Sequence, residues 1–403
     1  MNARRIRHGL ILLSILLWGV VGCTLGTPAS TPTPAPRATL ALAGGTLIDG
    51  TGADPISDAV VLIAGEKILA AGSRASIKIP GNVRTIDLEG AAILPGFINA
   101  HVHLAFEKAN LQAWAYGGVT TVRDEGASTG QINQLKAFRA ALGHDPQYAR
   151  LVSAGTMLAV SGGYGNLFVS SPEEARRAVL QEADLGVDAV KVALEDGYAG
   201  THGLPKLTPE ELKAIVSAAH GRGLPVSGHI TQGAYLQELL DAGADDIAHV
   251  PYDSIPSTSL EQMIRRDAYL IPTFTVLRNY GAPMITCVAN LKQFIRLGGK
   301  AALGNDYGGG PGEFELGIPM YEIEMMSGAG MSPMQIIVAA TRNAAHVLRL
   351  DDEIGTLEPG KVADILIVNG NPVDGLQSLK MIRMVIHYGT IIRDETVALP
   401  NSR

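Results

Sequence analysis

Two histidines separated by one valine, His101-Val102-His103, follow the apolar run Pro95-Gly96-Phe97-Ile98 and end what reads as a β-strand. Side chains alternate across a strand, so residues two apart face the same way and both imidazoles enter one space. Such a pair is half of a site for a borderline cation such as zinc. Lys191 lies inside Val187-Asp188-Ala189-Val190-Lys191-Val192-Ala193-Leu194, where an unpaired ammonium is costly or loses its proton. A neutral lysine amine can take up carbon dioxide as a carbamate, whose two oxygens can bridge two cations. The other reading of Lys191 is a strand-end lysine that snorkels to water or pairs with Glu195. His229 follows Leu224-Pro225-Val226-Ser227-Gly228, and His249 follows Asp246-Ile247-Ala248. Each exits a predicted strand, and each alone is equally a satisfied hydrogen-bonding histidine. Asp306, after Ala301-Ala302-Leu303-Gly304-Asn305, ends the last such run, or is a turn aspartate before Gly308-Gly309-Gly310.

These residues need a scaffold that gathers distant strand ends. Apolar strand-like runs alternate with helical patterns through the middle of the chain, which implies βαβ units and a parallel sheet. Candidate strands end near residues 103, 123, 155, 193, 229, 250, 274 and 306, enough for a closed barrel. Barrel enzymes carry their chemistry at the C-terminal ends of the strands, and the six residues above fall there in order. The fold class expected is therefore α/β, a (β/α)8 TIM barrel over residues 95–348. Short β-branched runs broken by turn residues bracket it on both sides. Residues 39–94 and 349–403 are expected to form one small composite β-sandwich. No repeat of the solenoid kind is visible.

The 32 basic and 39 acidic side chains give a net charge of −7 with no block of like charge, so nothing suggests nucleic acid or an acidic partner. Arg4, Arg5 and Arg7 precede an apolar run from Leu10 to Val21, the layout of a secretory signal. The run falls short of the roughly 20 apolar residues of a membrane span. Val20-Val21-Gly22-Cys23 resembles the bacterial lipobox, which implies a signal peptide over 1–22 and diacylation of Cys23. An ordinary signal peptide with a chance cysteine is the alternative. Residues 24–38, rich in Thr, Ser and Pro, read as a spacer after the tether. The expected location is the extracytoplasmic membrane face, with the lipid as the membrane contact. With Cys23 modified, Cys287 has no partner for a disulfide within the chain.

PGFINAHVHL (95–104), Gly118-Val119-Thr120-Thr121-Val122-Arg123-Asp124, Ala340-Thr341-Arg342-Asn343-Ala344-Ala345 and the stretch Ile354 to Asp364 together resemble the amidohydrolase superfamily. So does the opening Ala43-Gly44-Gly45-Thr46-Leu47-Ile48-Asp49-Gly50. The resemblance is to the binuclear subtype with a carboxylated lysine, which includes dipeptidase-like and imidazolonepropionase-related members. It implies two divalent ions, zinc above all. His101 and His103 would hold one, His229 and His249 the other, and a carbamate on Lys191 would bridge them. Asp306 would be both ligand and general base. Asn99 stands where the family has an aspartate that is not a ligand, and Tyr164 stands in a loop where dipeptidase-like relatives show histidine.

The activity this implies is hydrolysis of an amide, peptide or cyclic amide bond of a small molecule by a metal-bridged hydroxide, with Asp306 moving the proton. Arg123 and Arg278 are candidates for gripping a substrate carboxylate, with Tyr164 and Tyr252 as hydrogen-bond donors. Alternatively the arginines pair with nearby acids such as Asp124. A homo-oligomer is compatible with this reading. Two rival readings are a mononuclear deaminase or imidazolonepropionase-like hydrolase that leaves Lys191 uninvolved, and a non-catalytic ligand-binding surface lipoprotein.

Overall fold

The computed structural model describes residues 37–197, 202–309 and 315–395; Cys23 and the expected signal segment lie outside the described residues. Eight parallel barrel strands are β1 (Phe97–Val102), β2 (Val119–Asp124), β3 (Arg150–Ser153), β4 (Val190–Ala193), β5 (Val226–His229), β6 (Asp246–Ala248), β7 (Tyr269–Ile271) and β8 (Lys300–Ala301). Regular ladders join β1 to β3 and β4 to β8. Single backbone bonds close the two seams. Between β3 and β4, Ala189 N donates to Ser153 O (3.3 Å) and Lys191 N to Ala154 O (3.1 Å). Between the β8 exit and β1, Ala100 N donates to Leu303 O (2.7 Å), Asp306 N to His101 O (2.8 Å) and His103 N to Tyr307 O (2.7 Å). The result is the (β/α)8 barrel that the alternation of strand and helix predicts. Every residue of β2, β4, β5, β6 and β7 is buried, because helices cover a parallel sheet on its outer face.

Helix starts are set by short polar caps. The Ser171 hydroxyl accepts from Glu174 N ahead of helix Pro172–Leu185, and Gly186 ends that helix in the left-handed region. Thr208 and Glu211 form a reciprocal capping box on helix Pro209–His220. Such caps stop each helix cleanly, so the following strand enters the barrel in a fixed register.

Strands from the two ends of the chain, Leu40–Leu47 through Ala92–Pro95 and Ile365–Val368 through Thr390–Asp394, join into one continuous eight-stranded sheet. Leu40–Leu47 pairs with three neighbours, two of them parallel. Leu42, Val61, Ile63, Ile93, Ile365, Ile367 and Ile386 form its own core, while Leu366, Val368 and Val385 belong to the barrel's core. Ala92–Pro95 lies antiparallel to Ile365–Val368 immediately before β1, and Gly96 N donates to Asp364 O (2.8 Å). A Cβ at Gly96 would come 2.3 Å from Thr120 Oγ1, so only glycine lets β1 approach β2 this closely. The entry of the histidine-bearing strand is fixed from below.

Candidate active site

β1 brings His101 and His103 to the C-terminal mouth with ring centroids 5.7 Å apart. Asp306 faces them from the β8 exit, in a left-handed conformation (φ +55°) that aspartate tolerates better than most residues. Its Oδ1 lies 3.0 Å from His103 Nε2 and 3.4 Å from His101 Nε2, and its Oδ2 lies 3.8 Å from His249 Nδ1. His229 Nδ1 sits 3.0 Å from His249 Nε2. The ligand atoms of His101, His249 and Asp306 all lie within 4.8 Å of one another, a spacing suited to a metal ion. Tyr164, from the loop after β3, stacks on the His229 ring at 4.6 Å. The four histidines and Asp306 therefore converge on one space at the mouth of the barrel.

A layer of charge lies beneath them. Lys191 Nζ is 2.5 Å from Glu125 Oε2, Glu125 Oε1 is 2.5 Å from Arg123 Nε, and Arg123 forks onto Asp246 with two bonds of 2.9 Å. Arg123 also donates from Nε to Ala100 O. All four side chains are buried, and buried charges persist only when each has a partner and its hydrogen bonds. This corrects the expectation for Arg123. It is fully buried inside the barrel and locks β1, β2 and β6 together, so it cannot grip a substrate. Its partners are Asp246 and Glu125 rather than Asp124, whose carboxylate accepts from Ala105 N and Gly126 N. Lys191 pairs with Glu125, not with Glu195.

Burial, followed by the Lys191 charge, lowers the pKa of His101 to about 4 and that of His229 to about 3. Burial and then His229 hold His249 well below its ordinary value. Three imidazoles are thus neutral at pH 7, with a lone pair to give. His103 behaves oppositely: burial lowers its pKa, but the bond to Asp306 and that carboxylate's charge outweigh it and raise it to about 9. Burial pushes Asp306 up, but His101 and His103 hold it well below the carboxylate range. Burial likewise opposes ionisation of Glu125, and Arg123 and Lys191 overcome it to bring the group down to about 2.

The donor set fits a metal on the structure's own terms. The nitrogens that face the centre are crowded: His229 Nδ1 and His249 Nε2 meet at 3.0 Å, and the Nε2 atoms of His101 and His103 both face Asp306 Oδ1. A buried polar group left unsatisfied costs about 1–3 kcal/mol, so a set of neutral imidazoles around an ionised carboxylate is poorly satisfied without a cation. Asn99 stands outside this set, bonding Asn305 across the seam at 2.8 Å. Arg278 is exposed, with its guanidinium 4.8 Å over the Tyr321 ring, and Tyr252 is half-buried with its backbone N–H on Thr231 O (2.8 Å). Four contributors escaped the sequence reading of the site: Glu125, Glu195, Thr273 and Glu322. Glu195 lies 3.7 Å from His229 Nε2 and takes bonds from Thr231 N and Oγ1, and Thr273 Oγ1 contacts His249 Nδ1. The signal for the acids was an acidic residue in or beside an apolar run, as in Val122-Arg123-Asp124-Glu125 and Ala193-Leu194-Glu195.

Residues 92–392 match the amidohydrolase family. An ochratoxinase from Aspergillus niger is 24% identical over 410 residues, covering 85% of this chain and 84% of that protein. An imidazolonepropionase from Symbiobacterium thermophilum is 25% identical over 373 residues, covering 78% and 84%. The crystal structure of a Xaa-Pro dipeptidase with bound methionine superposes with a TM-score of 0.78 at 24% identity, over 88% of this chain and 99% of that one. Barrel, composite sheet and a rim of histidines with one aspartate define a hydrolase of the metal-dependent barrel class. The chain belongs to the amidohydrolase family, and its chemistry is hydrolysis of a carbon–nitrogen bond in a small molecule.

Proposed function

We propose that this chain is a binuclear, carbamate-bridged amidohydrolase acting on an amide or peptide bond. The observation that supports it best is the convergence of His101, His103, His229, His249 and Asp306 above a buried Lys191. His101 and His103 would hold one ion and His229 and His249 the other, with zinc the metal best matched to such donors. Lys191 would bridge them after its ammonium gives up two protons and its Nζ bonds the carbon of CO2. The N–H that remains keeps Glu125 as a partner. When bound, the two cations would polarise the scissile carbonyl and lower the pKa of water from 15.7 to about 7. Asp306, ionised and at the rim, accepts the proton of the attacking water and returns it to the leaving nitrogen. Tyr164, whose hydroxyl burial raises to about 12, stays protonated and is a hydrogen-bond donor at the mouth beside His229.

The relatives are named for different substrates: a Xaa-Pro dipeptide for one, an imidazolonepropionate for another and ochratoxin for a third. A panel of dipeptides, N-acyl amino acids, lactams and cyclic imides, tested with zinc and bicarbonate, decides among these. Cleavage that requires both zinc and bicarbonate is the expected result; cleavage with zinc and no dependence on bicarbonate contradicts the bridge. One observation favours a mononuclear alternative, the Lys191–Glu125 ion pair. If Lys191 remains an ammonium, His101, His103, His229 and Asp306 serve a single ion.

The amino-terminal layout supports export and tethering through a diacylated Cys23, with the barrel outside the cytoplasm. Among the described residues no helix is long and apolar enough to cross a membrane. Labelled palmitate should enter the wild-type chain in a bacterial host and not Cys23→Ala; equal labelling contradicts the tether.

A further inference from the structure

Behind His249 lies an arrangement that the proposed chemistry does not itself require. Thr273, at the exit of β7, is fully buried and adopts φ +54°, a left-handed conformation that a β-branched residue resists. Its hydroxyl has one proton, and that proton goes to Pro272 O at 2.7 Å. Its contact with His249 Nδ1 must then be one in which the imidazole donates and the hydroxyl accepts. This fixes the tautomer of His249: hydrogen on Nδ1, lone pair on Nε2, which faces His229 Nδ1 at 3.0 Å.

The strained turn is held from the next helix. Glu322, on helix Met320–Gly328, is fully buried, and its carboxylate takes all its described bonds from the residues just after Thr273. Oε1 accepts from Phe274 N (2.9 Å), while Oε2 accepts from Thr275 N (2.9 Å) and Thr275 Oγ1 (2.8 Å). A buried carboxylate is unfavourable unless hydrogen-bonded, so its place here matches a turn that must not relax.

We infer that Thr273 and Glu322 are positioning residues: Glu322 holds the β7 turn, and Thr273 thereby presents His249 to the metal centre through Nε2 alone. The inference rests on the reading of this rim as a metal centre. Groups that orient a ligating histidine in this way are worth about 10–100-fold in metal affinity.

The test uses the full chain reconstituted with cobalt(II) and bicarbonate, as wild type, Thr273→Ser, Thr273→Val and Glu322→Gln. The visible absorption of bound cobalt reports ligand geometry, and chelator competition reports affinity. Serine should restore the wild-type spectrum and affinity. Valine and the Glu322 variant should bind about 10–100-fold more weakly, with altered bands and unchanged far-ultraviolet circular dichroism. Wild-type spectra and affinity in both of those variants would overturn the inference, as would a serine variant as impaired as valine. If the valine variant does not fold, the Glu322→Gln spectrum decides alone. A folded wild type that takes up no cobalt fails differently, removing the metal-centre reading itself.

Discussion

At the N-terminal rim of the barrel, His220 lies 2.8 Å from Asp245, Arg349 closes on the other oxygen of that carboxylate at 2.8 Å, and His346 lies 3.1 Å from Asp351. At the C-terminal rim, four histidines crowd one aspartate, and His101 and His229 each keep a buried nitrogen without a hydrogen bond among the described residues. The residue types are the same and the surroundings opposite. Below, His220 and His346 each meet an acid in contact with water; above, imidazoles outnumber the acids that could satisfy them. Histidine and carboxylate become a site where burial strips the protons from His101, His229 and His249 and one shared carboxylate, Asp306, serves the cluster. Between the rims, the Lys191–Glu125–Arg123–Asp246 layer is charged yet paired, cation against carboxylate, which makes it a floor for the chemistry above.

The contrast can be attacked from either side. The largest effect belongs to the upper rim. Asp306→Asn should lower turnover about 10²–10⁴-fold, the range for a lost general acid-base, while the chain stays folded. Steady-state kinetics and a melting curve on the same preparation check both halves. In the floor, Arg123→Met strands Asp246 and Glu125, and urea unfolding should show a loss of about 3–5 kcal/mol. A loss below about 1 kcal/mol would place that layer with ordinary surface ion pairs.

Glu322 sharpens the comparison through pH. Burial raises its folded pKa from 4.5 to about 7, outweighing the bonds from Thr275 and Phe274. A raised carboxylate binds its proton more tightly when folded, so its contribution is complete below pH 4.5 and is lost as pH rises through about 7. The stability of wild type minus that of Glu322→Gln should therefore fall by roughly 3 kcal/mol over that window, measured by denaturant titration at several pH values. A difference that is flat with pH contradicts this. The smallest effect is at the lower rim: His220→Ala should cost less than about 1 kcal/mol, because its pair is exposed, and should leave kcat/KM unchanged.

The polar residues of the rim were legible in the sequence because a parallel strand fully buried between helices has little reason to end on a polar residue. His101, Lys191, His229 and Asp306 therefore stood out against apolar runs. The barrel followed from the same alternation. Arg123 was misjudged for a related reason: β2 is buried along its whole length, so a strand residue that looked like part of a loop points into the floor. Its partner Asp246 is 123 residues away, a distance no local pattern spans. Thr273 and Glu322 were illegible for the same reason, since their meaning lies in a contact between the β7 exit and a helix 47 or 48 residues later.

The central claim is that these side chains gather two cations around a carboxylated Lys191. Metal analysis of the folded chain after reconstitution with zinc and 13C-bicarbonate tests it most directly. Two ions per chain and one 13C carbamate resonance, with the resonance and an ion lost in Lys191→Ala, is the predicted result. One ion per chain with no carbamate signal, unchanged in Lys191→Ala, would contradict it.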